Sequence, residues 1–129
     1  MTDSLIAAAR SAQARAYAPY SRFRVGAALE ADDGTVFMGC NVENASYGLT
    51  ICAERAAICA AVSAGVQHFR RAVVVSDVDP PAAPCGACRQ VLAEFNPNLL
   101  IVMVDSLKPS EGHHATLDRL LPSQFKGPV

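Results

Sequence analysis

The chain reads as an α/β protein, a three-layer α/β/α sandwich, on three observations. An alanine-rich helical stretch opens it, and two strand-like runs joined by turn residues follow. Two later apolar, β-branched runs are then separated by helical segments, which favours parallel crossovers.

The elements follow in order. Asp3 to Ala16 has high helix propensity and stops before Ala18-Pro19, where the proline disfavours helical geometry in its predecessor. Arg24 to Glu30 and Thr35 to Asn41 are strands joined through Asp32-Asp33-Gly34, which predicts a β-hairpin. A second helix begins at Thr50 or Ile51, carries Cys52 in its first turn, and stops at Gly65. Ala72 to Val75 is a short buried strand entering the stiff loop Pro80-Pro81-Ala82-Ala83-Pro84. Pro84 fits the first position of a third helix, Cys85 to Phe95, which Asn96-Pro97 ends. Leu99 to Val104 predicts another strand, and Thr116 to Leu121 a short helix halted by Pro122.

With 129 residues, 51% of them hydrophobic, the chain suffices for one packed core, so residues 1–129 read as a single domain. Eleven Lys and Arg balance twelve Asp and Glu to a net charge of -1, and no basic stripe is present to hold a polynucleotide or an anionic membrane. Met1 to Arg10 carries Asp3 and only a short apolar run, unlike a signal peptide, and no apolar run is long enough to span a bilayer. A cytoplasmic location is expected, and in a reducing compartment grouped cysteines are more often metal ligands or redox groups than disulfides.

Of the five cysteines, three fall at predicted helix starts: Cys52, and Cys85 with Cys88. The latter pair, three residues apart, lies on one helix face within reach of one ion. Helix N-termini favour thiolate over thiol, so the pattern suits anionic metal ligands. Three thiolate ligands leave a fourth position open, the mark of a catalytic rather than a structural zinc site, and Glu54 beside Cys52 offers a proton carrier. Three thiolates around Zn²⁺ sum to -1, and Arg55 and Arg89 are placed to offset that charge.

Other readings stand beside this one. Cys85-Gly86-Ala87-Cys88 has the spacing of a thioredoxin-like redox pair, although such pairs follow an early strand. Cys40 or Cys59 would close the tetrahedron of a structural zinc; Cys59 lies about 10 Å along the helix from Cys52 and reads as an inert core residue, while spacing leaves Cys40 open as a strand residue near the site. His68, His113 and His114 read as surface residues in polar segments. Glu54 has the plainer reading of a carboxylate complementing a helix dipole, and it shares a site with Cys52 only if Cys52 lies at an irregular helix start.

Four stretches, Tyr17 to Ala28, Gly39 to Gly48, Ile51 to Ala56 and Pro84 to Gln90, resemble the small homotetrameric zinc-dependent cytidine deaminases of pyrimidine salvage. The Cys-Ala-Glu and Pro-Cys-x-x-Cys segments are shared across the wider zinc deaminase superfamily, whereas the Asn41-x-Glu43 and Phe23 segments resemble its nucleoside branch. The resemblance implies a central, mostly five-stranded mixed sheet, zinc held by Cys52, Cys85 and Cys88, and Glu54 as the proton carrier. It further implies that Phe23, Asn41, Glu43 and Ala53 contact a nucleoside and that Arg55 donates to a cysteine ligand. Tyr47 and Phe125 would complete a neighbouring subunit's pocket in a homotetramer with shared active sites. The expected reaction is hydrolysis of cytidine and deoxycytidine to uridine and deoxyuridine with release of ammonia.

Overall fold

The computed structural model describes residues 2–128. Its elements are helix α1 (Thr2–Gln13), strands β1 (Gly26–Ala31) and β2 (Val36–Cys40), helix α2 (Ala53–Ser63), strand β3 (Phe69–Ser76), helix α3 (Gly86–Phe95), strands β4 (Leu100–Asp105) and β5 (His113–Thr116), and the short helix α4 (Leu117–Leu120). The sheet order is β2-β1-β3-β4-β5. Only the β3–β4 pair is parallel; the hairpin β1–β2, the β1–β3 pair and the β4–β5 pair are antiparallel.

Side-chain alternation along the strands divides the core into two layers. Ala28, Val73, Val75, Val102 and Val104 face α1, whose Leu5, Ile6 and Ala9 follow helical spacing on one face. Ala27, Leu29, Ala72, Val74, Ile101 and Met103 face the opposite way, against Ala53, Ala57, Ile58 and Ala61 of α2 and Leu92 of α3. This is the expected three-layer sandwich. Burial of each such valine, leucine or isoleucine side chain contributes roughly 1.5–3 kcal/mol.

Several boundaries differ from the sequence expectation. Helix α1 ends at Gln13 rather than Ala16, because Tyr17 is drawn into backbone pairing: its N–H donates to the Asn41 carbonyl at 3.0 Å and its carbonyl accepts from the Glu43 N–H at 2.9 Å. Strand β5 is an additional element containing His113 and His114, and it pairs Met103 with His113 and Val102 with His114. Its polar composition hid it. Pro84 is not the first residue of α3; Cys85 is the N-cap, and Pro84 lies buried before it. Gly65 does end α2, with φ of +88°, while the Val66 N–H reaches back to the Ala61 carbonyl at 3.0 Å and the Gly65 N–H to Val62 at 2.9 Å.

One glycine sets the position of α2. A side chain at Gly39 of β2 would come within 2.4 Å of the Ala53 carbonyl and 2.5 Å of the Ala57 N–H. Glycine there lets the first turn of α2, which follows Cys52, lie directly on the sheet.

Candidate metal centre and nucleoside cleft

Cys52 and Cys85 are the N-caps of α2 and α3, both with extended backbones (φ -74°, ψ 155° and φ -66°, ψ 167°). Neither makes a side-chain cap hydrogen bond. An N-cap oxygen normally accepts a first-turn N–H; here both sulfurs remain free to face one another, 3.8 Å apart. Cys88, fully buried, adds a third sulfur from the first turn of α3, and all three lie within 4.8 Å of one another. Two helix N-termini thus meet at one cluster of thiols.

That cluster fits zinc. Tetrahedral coordination with Zn–S bonds of about 2.3 Å separates ligand sulfurs by about 3.8 Å. In the absence of a cation the three groups cannot ionise alike. Hydrogen bonding from Cys88, then from Arg55 and Cys85, pulls the Cys52 thiol down to about 5, while the hydrogen bond to Cys52, and then burial, push Cys88 far up. A divalent cation removes that conflict by holding all three as thiolates. Among the described residues no other three His, Cys, Asp or Glu side chains bring their ligand atoms as close together, and neither Cys40 nor Cys59 joins the three sulfurs. Cys59 is exposed rather than in the core, because α2 is alanine-rich on most faces and its sequence does not single out the packed one.

The extended Cys52 backbone also resolves how Cys52 and Glu54 share a site: Cys52 precedes the helix and Glu54 is its second residue. Glu54 is 6% exposed. Desolvation, helped by the negative charge of Cys52, raises its carboxyl to about 7 against the pull of its own backbone hydrogen bond and of Arg55. Arg55 donates from Nη2 to the Cys52 sulfur at 3.4 Å, and its Nε is buried without a partner, so its charge is directed at the sulfurs. Cys52 and burial act oppositely on its pKa, and the net direction is upward. Arg89 does not join it. Its Nε donates to the Pro84 carbonyl at 2.7 Å and its Nη1 to the Leu120 carbonyl at 2.6 Å, which ties the loop before Cys85 to α4.

A cleft of about 240 Å³ opens beside the cysteines, lined by Ser21, Phe23, Val25, Asn41, Glu43, Thr50, Cys52, Ala53, Glu54, Val74, Ala82, Ala83 and Cys85. Five residues singled out in the sequence, Phe23, Asn41, Glu43, Ala53 and Glu54, therefore converge there with Cys52 and Cys85, while Arg55 stays outside the lining and reaches the site only through its hydrogen bond to the Cys52 sulfur. Ser21, Val25, Thr50, Val74, Ala82 and Ala83 were not singled out. Ser21 lies within the Tyr17 to Ala28 stretch but had no role of its own assigned there.

The two polar residues opposite the metal centre are held differently. Asn41, 7% exposed, accepts from the Val25 N–H at 2.9 Å and donates to the Phe23 carbonyl at 2.7 Å, so its amide secures the segment that carries Phe23. Glu43 accepts from the Tyr20 and Ser21 N–H groups at 3.0 and 3.1 Å and from the Ser21 hydroxyl, and these bonds, the hydroxyl foremost, lower its pKa. Tyr47 and Phe125 do not line the cleft of their own chain. Each is 75% exposed; Tyr47 stacks edge-on against Tyr20, and the Phe125 carbonyl accepts from Gln90.

An α/β/α sandwich with three convergent thiols at paired helix N-termini, one side open to a cleft and a desolvated carboxyl beside it, defines the class of metal-dependent hydrolases. Comparison with known proteins narrows the class. Residues 1–104 match the model of the cytidine and deoxycytidylate deaminase zinc-binding region. The chain is 49% identical over 123 residues to a cytidine deaminase of Sporosarcina psychrophila, covering 95% of this chain and 90% of that protein. It is also 49% identical over 121 residues to one of Halalkalibacterium halodurans, covering 94% and 91%. The crystal structure of cytidine deaminase from Burkholderia pseudomallei superposes with a TM-score of 0.92 at 48% identity, covering 97% of this chain and 99% of that one. The chain belongs to the zinc-dependent cytidine and deoxycytidylate deaminase family.

Proposed function

We propose that the protein is a cytidine deaminase that hydrolyses cytidine and deoxycytidine to uridine and deoxyuridine with release of ammonia. The observation that carries the proposal is the placement of Glu54, a buried carboxyl, in the lining of the same cleft as Cys52 and Cys85, two of the three clustered sulfurs. Cys52, Cys85 and Cys88 would hold the zinc. When bound, zinc would supply a Lewis acid that makes water acidic and nucleophilic at neutral pH.

The chain's own groups do the rest. Glu54 takes one proton from the attacking water and delivers it to N3 of the pyrimidine as the C4–O bond forms, then takes the second water proton from the resulting C4 hydroxyl and gives it to the amine as the C4–N bond breaks, which leaves the C4 carbonyl and ammonia. Burial raises this carboxyl from the ordinary carboxylate range toward neutrality, which favours both taking up and returning a proton. Phe23 stacks on the base, and Asn41 and Glu43, two apart on an extended segment and both facing the cleft, grip the ribose hydroxyls with the capacity their backbone bonds leave free. Ala53 bounds the pocket, and Arg55 offsets the excess negative charge of the thiolates.

The same reading extends to assembly and location. A homotetramer would bring Tyr47 and Phe125 onto a neighbouring subunit's cleft, and this is supported by their exposure together with that of Tyr17, Leu49, Val36 and Met38. No helix among the described residues is long and apolar enough to cross a membrane. With five free cysteines and metal-ligating thiols, a cytoplasmic, single-domain enzyme spanning residues 1–129 is the corresponding expectation.

Cytidine, deoxycytidine, cytosine and blasticidin S supplied separately, each followed by its loss of absorbance, test the substrate. Turnover of the two nucleosides alone is expected, and turnover of none of the four would refute the proposal. Light scattering at micromolar concentration tests the assembly, and a monomer mass would count against shared sites.

A further inference from the structure

Phe23 sits on a segment that is not part of the sheet, yet its backbone groups are held from several sides. The Phe23 N–H donates to the Ser21 hydroxyl at 3.0 Å, and Asn41 takes the Phe23 carbonyl and the Val25 N–H. Arg22, just before Phe23, has φ of +60°, a left-handed conformation that is unfavourable for a residue with a side chain and persists only where neighbours enforce it. The Arg24 carbonyl is taken by Gln13, whose Nε2 donates to it at 3.2 Å, and the Val25 carbonyl by the Asn41 N–H at 3.2 Å.

Gln13 is the last residue of α1 and is only 8% exposed, an unusual position for a glutamine. Its amide also donates to Asp77 Oδ1 at 3.0 Å, and the same oxygen accepts from the Ser106 hydroxyl. Asp77 and Ser106 follow the carboxyl ends of the parallel strands β3 and β4. The glutamine thus links the Phe23 segment to the ends of the parallel strand pair at the centre of the sheet. Gly26 permits the link, because a side chain there would lie 2.0 Å from the Ala9 carbonyl and 2.6 Å from the Gln13 N–H and would force the end of α1 off the sheet.

We propose that Gln13 is a positioning residue for substrate binding: anchored by Asp77 at the ends of β3 and β4, it holds the Arg24 carbonyl and so fixes Phe23 over the nucleoside cleft. Gln13 does not line the cleft and acts only through the segment it restrains. The inference rests on the reading of Phe23 as the base-stacking residue. Stacking is made in ground state and transition state alike, so loosening it weakens both equally; KM rises and kcat changes little.

The test compares Gln13→Met, which keeps the volume and removes the donors, with Asp77→Ala at an exposed position and with Phe23→Ala, all measured for kcat, KM and zinc content with cytidine. For Gln13→Met a KM increase of about five- to tenfold is expected, the order of one lost hydrogen bond, with zinc content and kcat within about twofold of wild type. Asp77→Ala should raise KM less, in the same pattern, and keeps the proposal testable if Gln13→Met fails to fold. In the Phe23→Ala background either substitution should have little further effect on KM. Unchanged KM in both variants, with Phe23→Ala raising KM, would overturn the role of Gln13 alone. A drop in zinc content and kcat at constant KM would also overturn it, by showing a general structural role. Unchanged KM in Phe23→Ala would overturn the stacking reading and the inference with it.

Discussion

At one end of the central sheet Glu30 lies between Arg70 and Arg71; at the other, three cysteine sulfurs crowd against Glu54. Both are charged clusters built around a carboxylate that is about 5–6% exposed, and they are resolved in opposite ways. Glu30 accepts from Arg70 Nε at 2.9 Å and from both ends of the Arg71 guanidinium, which also donates to Thr2 at 3.2 Å. Hydrogen bonds from Arg71 and then Arg70 hold its pKa at about 2. Glu54 has no such partner, and burial pushes its pKa to about 7. A cluster that satisfies itself within the chain stabilises the fold, whereas one left with excess negative charge and an unpaired acid is poised to bind a cation and move protons.

The largest effect should come from removing a sulfur. Cys85→Ala is expected to lose zinc, activity and thermal stability together, because metal binding and folding are linked; metal analysis of the purified variant checks it, and retained equimolar zinc would show that the cluster is not the metal site. Arg55→Met should be milder. Loss of the guanidinium beside Cys52 leaves the thiolate charge unbalanced, and zinc affinity measured by chelator competition should change by about 10- to 100-fold with the fold intact.

The Glu30 end sharpens the contrast. Its folded pKa lies below the ordinary value of 4.5, so its stabilisation is present above about pH 4.5 and is lost as pH falls toward 2. The carboxylate is buried but Arg70 is half exposed, so after allowance for screening the contribution is about 1–2 kcal/mol. Glu30→Gln should lower the unfolding free energy by that amount at pH 7 and by progressively less in acid, as read from denaturant titrations, with zinc content and cytidine turnover unchanged. A turnover defect with normal stability would erase the distinction between the two ends.

Much of this contrast was legible in the residues. Cys-Ala-Glu and Pro-Cys-x-x-Cys announce helix-borne ligands with an adjacent acid, and the alternation of apolar strands and helices announces the sandwich. The geometry that makes the ligands converge was not legible: whether Cys52 is the cap or the first turn depends on a single ψ angle. Strand β5 escaped notice because His-His-Ala-Thr has neither an apolar run nor an alternation, and it is held by pairing with β4 rather than by its own propensity. Arg89 looked equivalent to Arg55 because each follows a cysteine by one or three positions, yet its guanidinium is taken by two carbonyls. Gln13 was invisible for a similar reason, since its partners at Arg24 and Asp77 are 11 and 64 residues away.

The most direct measurement is the turnover of cytidine by zinc-loaded Glu54→Gln protein, with metal content and melting temperature determined on the same sample. Neutralising a desolvated acid should leave equimolar zinc and a melting temperature no lower than wild type, while turnover falls by about 10²- to 10⁴-fold. Wild-type turnover with zinc in place would contradict the assignment of Glu54 as the proton carrier.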